Sequence, residues 1–237
     1  MELPVDPHTL GVILGDGGLT GLAMTSYFDI ELGYNTGAAA NIVSEHELLE
    51  VVAKRNGWRW PTKLPNVDAS ISYVPEGPVK DGLRALLLIR VNSFKKIVPE
   101  LYMTESLQQR LDLLAGLIDT DGDRENFYTT SPMLAEAFHQ LVYSVGGTAH
   151  IRPKVTTCNG KKFDSLAVGY STAEHIIPTV LDRKRRGERN MSWKNPRNTS
   201  FKVEPAGVGT VYGFSLEGNA HRYITDDFLV TSYTASK

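Results

Sequence analysis

The chain has 237 residues, 41% hydrophobic and 22% charged, with a formal net charge of −2, a composition that predicts a folded globular protein and excludes disordered and low-complexity classes. No apolar run reaches the roughly 18 residues that span a bilayer, and the N-terminal MELPVDPHTL lacks signal-peptide features, so we expect an intracellular protein of the cytoplasm or nucleus. The single cysteine, Cys158, excludes an internal disulfide and cysteine-rich zinc sites.

The first part of the chain predicts alternating helices and strands. After Asp6, HTLGVILGDGG predicts an apolar, glycine-rich helix that ends at Asp16. LTGLAMTSYFDIEL is rich in β-branched and aromatic residues and predicts one or two strands. SEHELLEVVAKRNG then predicts a helix, SISYVP a short strand, and GLRALLLIRVNSFKKIVPELY a helix that must break before Pro99.

The same order of elements returns in the second part. SLQQRLDLLAGLIDTDG predicts a helix capped by Thr104 or Ser106, NFYTTS a strand, and SPMLAEAFHQLVYSVGG a helix with Ser131 as its N-cap. TAHIRPKVTT and FDSLAVGYST predict a hairpin joined by an Asn-Gly turn. TAEHIIPTVLDRKRR predicts a short closing helix.

The repeat is anchored by LGDGG and IDTDG, whose acids Asp16 and Asp121 lie 105 residues apart. This internal duplication predicts two related halves. After about residue 200, the sequence alternates as short strands do and predicts a small β appendage. We therefore expect a first half over 1–103, a second half over 104–190, and a basic linker with a C-terminal β segment over 191–237.

The spacing of small residues in the duplicated motif predicts close packing of its two helices. Small residues lie four apart in each copy, on one helical face: Gly11 and Gly15, Gly116 and Thr120. Such faces let two helix backbones pack closely, which would place Asp16 and Asp121 side by side. Paired carboxylates repel each other, and a divalent cation, preferably Mg²⁺, relieves that repulsion and suits phosphodiester hydrolysis. The alternative is two glycine-rich helix ends with solvated aspartates, but the duplication favours the site.

LLAGLIDTDG resembles the LAGLIDADG signature of homing endonucleases with one change, Thr120 in place of alanine. LGVILGDGG is similar to the looser first copy of intein-encoded members. The resemblance implies that Asp16 and Asp121 bind the catalytic metal, and we include the preceding Gly15 and Thr120 in the predicted metal site. Asp119 matches the earlier acid of the motif, but the first copy has leucine there, which favours a structural role for Asp119.

FKKIVPEL, which precedes the second motif, resembles the lysine-containing block of intein endonucleases. The resemblance implies that Lys96 is an active-site lysine, with Lys95 as the alternative if the register differs by one. A cation at this position would offset charge on the scissile phosphate. The second half should supply a partner lysine, for which we choose Lys154, with Lys161 and Lys162 as alternatives.

The resemblance implies an α+β fold of two pseudo-symmetric halves, each αββαββα-like, whose saddle-shaped antiparallel sheets straddle DNA. VYGFSLEGNAHRYITDDFLVTS resembles the C-terminal splicing block of inteins and implies a small Hint-like β appendage. Inteins end this block with His-Asn, whereas this chain has Thr231-Ser232 or Ser232-Tyr233 there. Residues 1–10 also lack a splicing nucleophile, so we expect no protein splicing.

The charge distribution predicts a polyanionic partner. Residues 1–53 hold eight acids and no Lys or Arg, whereas residues 182–202 hold eight basic residues and two acids. A solvated basic loop is the plain alternative. The predicted DNA-binding residues are Arg152, Lys154, Lys161, Lys162, Arg183, Lys184, Arg185, Arg186 and Arg189. Most of the affinity for phosphates should therefore lie in the second half and the basic linker, while Thr156, Thr157 and Asn159 are placed to reach bases.

The resemblance, together with the paired acids, implies a Mg²⁺-dependent, site-specific endonuclease derived from an intein, which makes double-strand breaks in a long DNA target. Because both motif copies lie in one chain, it should act as a monomer, without a membrane partner. Two alternatives remain open: a nucleic-acid binder that has lost cleavage, such as an RNA maturase or a transcription regulator, and a remnant of a longer intein.

Overall fold

The chain forms two compact units, Met1–Arg189 and Asn190–Lys237. In the second unit, the computed structural model describes short stretches between residues 202 and 232. In the first unit it describes residues 3–19, 27–29, 34–36, 41–44, 46–57, 71–73, 77–158, 160–172 and 177–185. Within these residues, no helix is long and apolar enough to cross a membrane.

Two packed helices form the centre of the first unit. Helix α1 spans Pro7–Asp16 and α5 spans Leu107–Asp121, capped by the side chains of Asp6 and Ser106, respectively. Their backbones touch through Gly11 and Gly116. A Cβ on Gly11 would lie 2.5 Å from the Leu113 carbonyl oxygen, and a Cβ on Gly116 would lie 2.1 Å from the His8 carbonyl oxygen. The predicted close packing of the two motif helices is confirmed.

The first half surrounds α1 with short antiparallel strands. Its described elements are β1 (Gly17–Gly18), β2 (Tyr27–Asp29), β3 (Tyr34–Thr36), β4 (Asn41–Ser44), α2 (His46–Arg55) and β5 (Ile71–Tyr73). Strands β1, β4 and β5 form one sheet in that order, and β2 pairs with β3. Gly17 pairs with Ile42, which fixes the chain directly after α1.

The single long helix predicted over GLRALLLIRVNSFKKIVPELY is wrong. Helix α3 spans only Pro78–Ala85, and its end is closed by the Leu88 N–H, which donates to the Leu83 carbonyl oxygen at 2.9 Å. The closing residue, Leu87, has a φ of 57°, a position that glycine normally occupies at helix ends. A 3-10 turn at Ser93–Lys95 and α4 (Glu100–Met103) follow.

The second half is a three-stranded antiparallel sheet covered by one helix. It contains β6 (Asn126–Thr129), α6 (Pro132–Ser144), β7 (Thr148–Cys158) and β8 (Lys161–Ser171), with strand order β6-β8-β7. Phe127 of β6 stacks on Phe138 of α6 with ring centroids 4.4 Å apart, so this sheet face forms the core. The Ser131 side chain caps α6 as predicted.

The hairpin predicted from the Asn-Gly turn is confirmed, since β7 pairs with β8 along its whole length and Gly160 has a φ of 75°. The closing helix predicted for TAEHIIPTVLDRKRR is wrong over residues 177–185, where the structure has an irregular segment and one 3-10 turn at Asp182–Lys184. That segment instead makes hydrogen bonds to the end of α5.

The predicted α+β class with antiparallel sheets is confirmed. The glycine that follows each motif helix pairs with a neighbouring residue in antiparallel fashion, Gly17 with Ile42 and Gly122 with Phe127. The two halves thus share this pairing after their motif helices. In the second unit, β9 (Arg222–Ile224) and β10 (Val230–Ser232) form an antiparallel pair. The Hint-like character of this unit and the predicted boundaries at residues 103 and 190 remain predictions.

Candidate active site

The two motif acids are the last residues of the two packed helices, Asp16 in α1 and Asp121 in α5. The N–H of Gly17 donates to the Ile13 carbonyl oxygen, and the N–H of Gly122 donates to the Ile118 carbonyl oxygen. After each of these two helices, the backbone continues in an extended conformation at Gly17 and Gly122. Both acids thus lie at helix C-termini, where the partial negative charge of the helix disfavours a carboxylate.

The electrostatics of Asp121 show that the two acids interact. Burial, and after it the negative charge of Asp16, raise the pKa of Asp121 to about 6, against the opposing effect of the nearby Lys96 and Lys184. The acids therefore lie close enough to repel each other, which the alignment of the two motifs predicts. A raised carboxyl pKa of this origin means that the ionised form is destabilised, and a nearby cation would reduce that destabilisation.

Lys96 lies beside these acids. Its side chain is only 6% exposed, and its Nζ donates to the Gly15 carbonyl oxygen at 2.6 Å. Burial lowers the pKa of Lys96, although the charges of Asp121 and Asp16 oppose that shift. Lys95 is exposed, so of the two predicted alternatives the structure brings Lys96 to the site.

A second lysine reaches the other motif. Lys184 is 8% exposed, and its Nζ donates to the Asp119 carbonyl oxygen at 2.7 Å and to the Thr120 carbonyl oxygen. Because Thr120 is the motif equivalent of Gly15, the two lysines bind equivalent carbonyls. Burial lowers the pKa of Lys184 and so does Arg183, while the three neighbouring aspartates oppose that shift.

This position bears on two of the predicted lysines. The sequence predicts Lys184 as a phosphate contact, but the structure buries its ammonium against the α5 C-terminus. Lys154, our choice for the partner lysine, lies on β7 with its Nζ 3.6 Å from the centre of the Tyr128 ring. Sequence reasoning misses the role of Lys184 because it stands in the run DRKRR, where nothing local separates one inward-facing lysine from its neighbours.

Asp119 has the structural role predicted for it. It is 1% exposed, and its carboxylate lies 3.1 Å from the His8 Nε2 atom. It also accepts hydrogen bonds from the N–H groups of Val180 at 2.9 Å and Leu181 at 3.0 Å. These three N–H donors satisfy a carboxylate that would otherwise be costly to bury.

The donors available for a metal ion are all oxygens. The described residues contain no cluster of three His, Cys, Asp or Glu side chains that could hold a metal. The motifs predict the Asp16 and Asp121 carboxylates and the Gly15 and Thr120 carbonyls as the oxygens that would hold a cation, a donor set that suits Mg²⁺. These carbonyls also accept the lysine ammoniums, so a cation would share them.

The site opens onto the face of the second-half sheet that α6 leaves uncovered. A cavity of ≈ 300 Å³ is lined by Gly15, Lys96 and Asp121 on one side and by sheet residues such as Thr156 and Phe163 on the other. A second cavity, of ≈ 360 Å³, borders Lys184 and the turn that follows α5. A ligand that covers this sheet face would therefore reach Asp121.

Several predicted DNA-binding residues lie on this sheet. Arg152 and Tyr128 flank Ala167 in one cross-strand row. The Arg152 Nη2 atom donates to the Asn126 Oδ1 atom at 2.8 Å, which holds the guanidinium near the sheet. The Tyr128 hydroxyl, below the Lys154 ammonium, donates to the Asp123 carboxylate at 2.8 Å. The face thus presents two oriented cations.

The remaining predicted contacts are distributed unevenly. Lys162, Thr156 and Thr157 are exposed at the far end of the hairpin, and Lys161 starts β8. Arg183 is exposed, whereas Arg185 pairs with Asp182 at 3.0 Å and donates to the Thr179 carbonyl oxygen. Three predicted residues lie outside the described part of the chain: Asn159, Arg186 and Arg189.

Comparisons with known proteins give one curated relative and a set of solved structures. No family model matches the chain. The replicative DNA helicase DnaB of Mycobacterium intracellulare is 25% identical over 245 residues, which cover 99% of this chain and 36% of the helicase. The chain thus spans about a third of the length of that curated relative.

The solved structures similar to the chain include complexes of the homing endonuclease I-DmoI, each matched over 71% of this chain. A complex with DNA and Ca is 13% identical, with 83% of that chain covered and a TM-score of 0.43. A complex with target DNA nicked in the coding strand, in the presence of Mn, is 15% identical, with 88% covered and a TM-score of 0.44.

Proposed function

We propose that this chain is a site-specific, Mg²⁺-dependent DNA endonuclease of the LAGLIDADG homing type. One observation carries the proposal: Asp16 and Asp121 end two packed, related helices, and each helix end receives one buried lysine on the equivalent carbonyl, Lys96 on Gly15 and Lys184 on Thr120. The resemblance of both motifs to the family signature supports the same conclusion.

The duplicated arrangement suits a duplex substrate. A double-strand break needs two phosphodiester hydrolyses, and the two halves each supply one acid and one lysine. The carboxylates of Asp16 and Asp121 would hold Mg²⁺, which activates water and offsets charge on the phosphate when bound. Lys96 and Lys184 would stabilise negative charge that develops on the phosphates, an effect that is largest in a site shielded from water.

The sheet supports double-stranded DNA as the partner. Arg152 and Lys154 project from the face that adjoins the acids, where they would contact phosphates or base edges. Because both motif copies lie in one chain, the enzyme would act as a monomer inside the cell. The resemblance of the C-terminal segment to a splicing block supports an intein origin, and the residues Thr231-Ser232 or Ser232-Tyr233 at the position where inteins have His-Asn support the loss of splicing.

One observation favours a second candidate function, a nucleic-acid-binding protein without cleavage. The ammoniums of Lys96 and Lys184 hydrogen-bond the two carbonyls that the metal would use. If they held these positions permanently, the protein would bind its target and leave it intact. An RNA maturase or a transcription regulator would behave in this way, whereas a remnant of a longer intein is a separate alternative.

Cleavage of a pooled random-DNA library decides between these functions. The wild-type protein with Mg²⁺ should produce defined double-strand cuts at one recovered target sequence. Asp16→Asn and Asp121→Asn should each abolish the cuts and retain binding to that target. Enrichment of a target by the wild-type protein without any cut, with Mg²⁺ or with Mn²⁺, would contradict the endonuclease and support the binding protein.

A further inference from the structure

A buried carboxylate joins three separate parts of the first unit. Asp119 in α5 contacts His8 in α1, which is 0% exposed, and the N–H groups of Val180 and Leu181, which lie 61 and 62 residues further along the chain. A carboxylate only accepts hydrogen bonds, so His8 Nε2 donates to it. Asp119 thus fixes the segment 177–185 on the motif helices.

The same segment delivers Lys184. After Val180 and Leu181 bind the Asp119 carboxylate, the Lys184 N–H donates to the Leu181 carbonyl oxygen at 2.8 Å and closes a 3-10 turn. The Lys184 side chain then returns to the carbonyls of Asp119 and Thr120. The Asp119 carboxylate holds the start of this loop, and the backbone next to Asp121 receives its end.

The first half holds its lysine in a different way. Leu14 occupies the position equivalent to Asp119 and is a buried core residue. Lys96 is instead fixed by Ser131, whose hydroxyl donates to the Lys96 carbonyl oxygen at 2.6 Å. Ser131 caps α6 in the second half, whereas His8, which supports the Asp119 contact, belongs to the first half. Each lysine is therefore held through its own, non-equivalent contact.

We infer that Asp119 is a positioning residue for Lys184, that Ser131 has the same role for Lys96, and that these two contacts set the cleavage rates of the two DNA strands separately. The inference rests on the proposed endonuclease function. It follows from the asymmetry: loss of one contact moves one lysine and leaves the other in place. A misplacement of a catalytic group by about 1 Å can slow a reaction about 100-fold.

Strand-specific cleavage of the recovered target tests the inference, with a different label on each strand. Asp119→Asn keeps the shape of the side chain but turns an amide group toward one of its N–H donors. It should slow one strand about tenfold or more relative to the other and so produce nicked DNA. Lys184→Met should slow the same strand, and the double variant should be no slower than Lys184→Met alone.

Ser131→Ala should slow the opposite strand. Equal slowing of both strands by Asp119→Asn, or additive losses in the double variant, would overturn the inference, because a general loss of structure affects both strands alike. If Asp119→Asn does not fold, His8→Leu serves in its place. This variant carries the leucine that the second copy has at the equivalent position, Leu113, and it removes one of the three hydrogen bonds to Asp119.

Lysine acylation measured by mass spectrometry provides a test that does not need cleavage. In the wild-type protein, buried Lys184 and Lys96 should react far more slowly than exposed Lys95. Asp119→Asn should raise the reactivity of Lys184 alone, and Ser131→Ala that of Lys96 alone. Unchanged protection of Lys184 would overturn its positioning by Asp119. A wild-type protein that cuts no DNA but shows these selective changes would contradict the proposed function and the separate strand rates, while the positioning of Lys184 by Asp119 and of Lys96 by Ser131 would be supported.

Discussion

Gly15 and Thr120 occupy equivalent positions in the two motif helices, and the Thr120 hydroxyl fills the space beside Gly15. A Cβ on Gly15 would lie 1.8 Å from the Thr120 Oγ1 atom and 2.6 Å from its Cβ. The hydroxyl is held there by hydrogen bonds of 3.0 Å to the carbonyl oxygens of Gly116 and Leu117. The one departure from the motif signature is therefore matched by a glycine in the other copy.

This relationship predicts coupled effects of substitution. Gly15→Ala should lower the free energy of unfolding by about 2 kcal/mol, because overpacking in a close helix contact costs roughly 1–3 kcal/mol. Thr120→Gly in the Gly15→Ala background should recover much of that loss. A double-mutant cycle from urea denaturation measures the coupling. The control is Gly209→Ala, whose added Cβ would meet nothing within 4 Å and which should leave the unfolding free energy nearly unchanged.

A second prediction concerns the pH dependence of stability. The pKa of Asp121 is raised to about 6, so the folded state binds its proton more tightly than the unfolded state does. Stability from this group is complete below about pH 4 and is lost as pH rises through 6, by on the order of 2–3 kcal/mol. Asp121→Asn should therefore be more stable than the wild-type protein at pH 8 and equally stable at pH 4.

Asp123 provides a control in which stability should change with pH in the opposite direction. Burial acts to raise the pKa of Asp123, but hydrogen bonds from Glu125, Tyr128 and Asn126 outweigh it and hold the pKa below its usual value. Stability from Asp123 is present above the unfolded pKa and is lost as pH falls. Asp123→Asn should thus be less stable than the wild-type protein at pH 8. Thermal unfolding at pH 4, 6 and 8 measures both variants, and parallel curves for the two would contradict the assignments.

A divalent cation should offset the loss of stability that ionisation of Asp121 causes at high pH. A ligand that binds only the folded state raises its stability in proportion to the logarithm of its concentration. Ca²⁺ or Mg²⁺ at millimolar concentration should therefore raise the Tm of the wild-type protein at pH 8. The rise should shrink at pH 5, where protons compete for Asp121, and should vanish in Asp121→Asn. An equal rise in that variant would show that the cation binds elsewhere.

The two candidate partner lysines should differ in the step they affect. Lys184→Met should lower single-turnover cleavage by about 100-fold, as loss of one charge-stabilising donor commonly does, and leave the Kd for target DNA within about twofold. Lys154→Met should weaken binding and leave cleavage at saturating protein nearly unchanged. Fluorescence anisotropy and single-turnover kinetics separate these effects, and a cleavage defect in Lys154→Met larger than in Lys184→Met would contradict them.

Local sequence patterns predict the packed helices at the centre of the fold because that packing requires particular residue types at fixed spacings. Small residues at a spacing of four identify the touching faces of α1 and α5, and an acid at each helix end identifies the paired carboxylates. These features depend on contacts between helices whose patterns repeat, and the duplication makes the patterns visible. Lys96 is predicted only through the resemblance of FKKIVPEL to the lysine-containing block of intein endonucleases.

The position of Lys184 and the end of α3 depend on contacts that no local sequence pattern indicates. Lys184 reaches its position because Val180 and Leu181 bind Asp119, a contact between residues about 60 positions apart in the chain. The end of α3 cannot be located from the sequence because Leu87 adopts the left-handed conformation without being glycine. Lys184 is thus placed by a long-range contact, whereas at Leu87 local hydrogen bonds close α3 and the sequence lacks the glycine that would mark the end.

The final prediction concerns the salt dependence of DNA binding. The sequence groups Arg183 to Arg186 as one cationic run, but the structure separates exposed Arg183 from buried Lys184. Each phosphate contact contributes about −0.9 to the slope of log K against log salt concentration. Arg183→Glu should therefore make the slope less steep by about 1. Lys54→Glu, which reverses an exposed cation of the first half, should leave it unchanged. An equal change in both variants would contradict the expectation that the second half supplies most phosphate contacts.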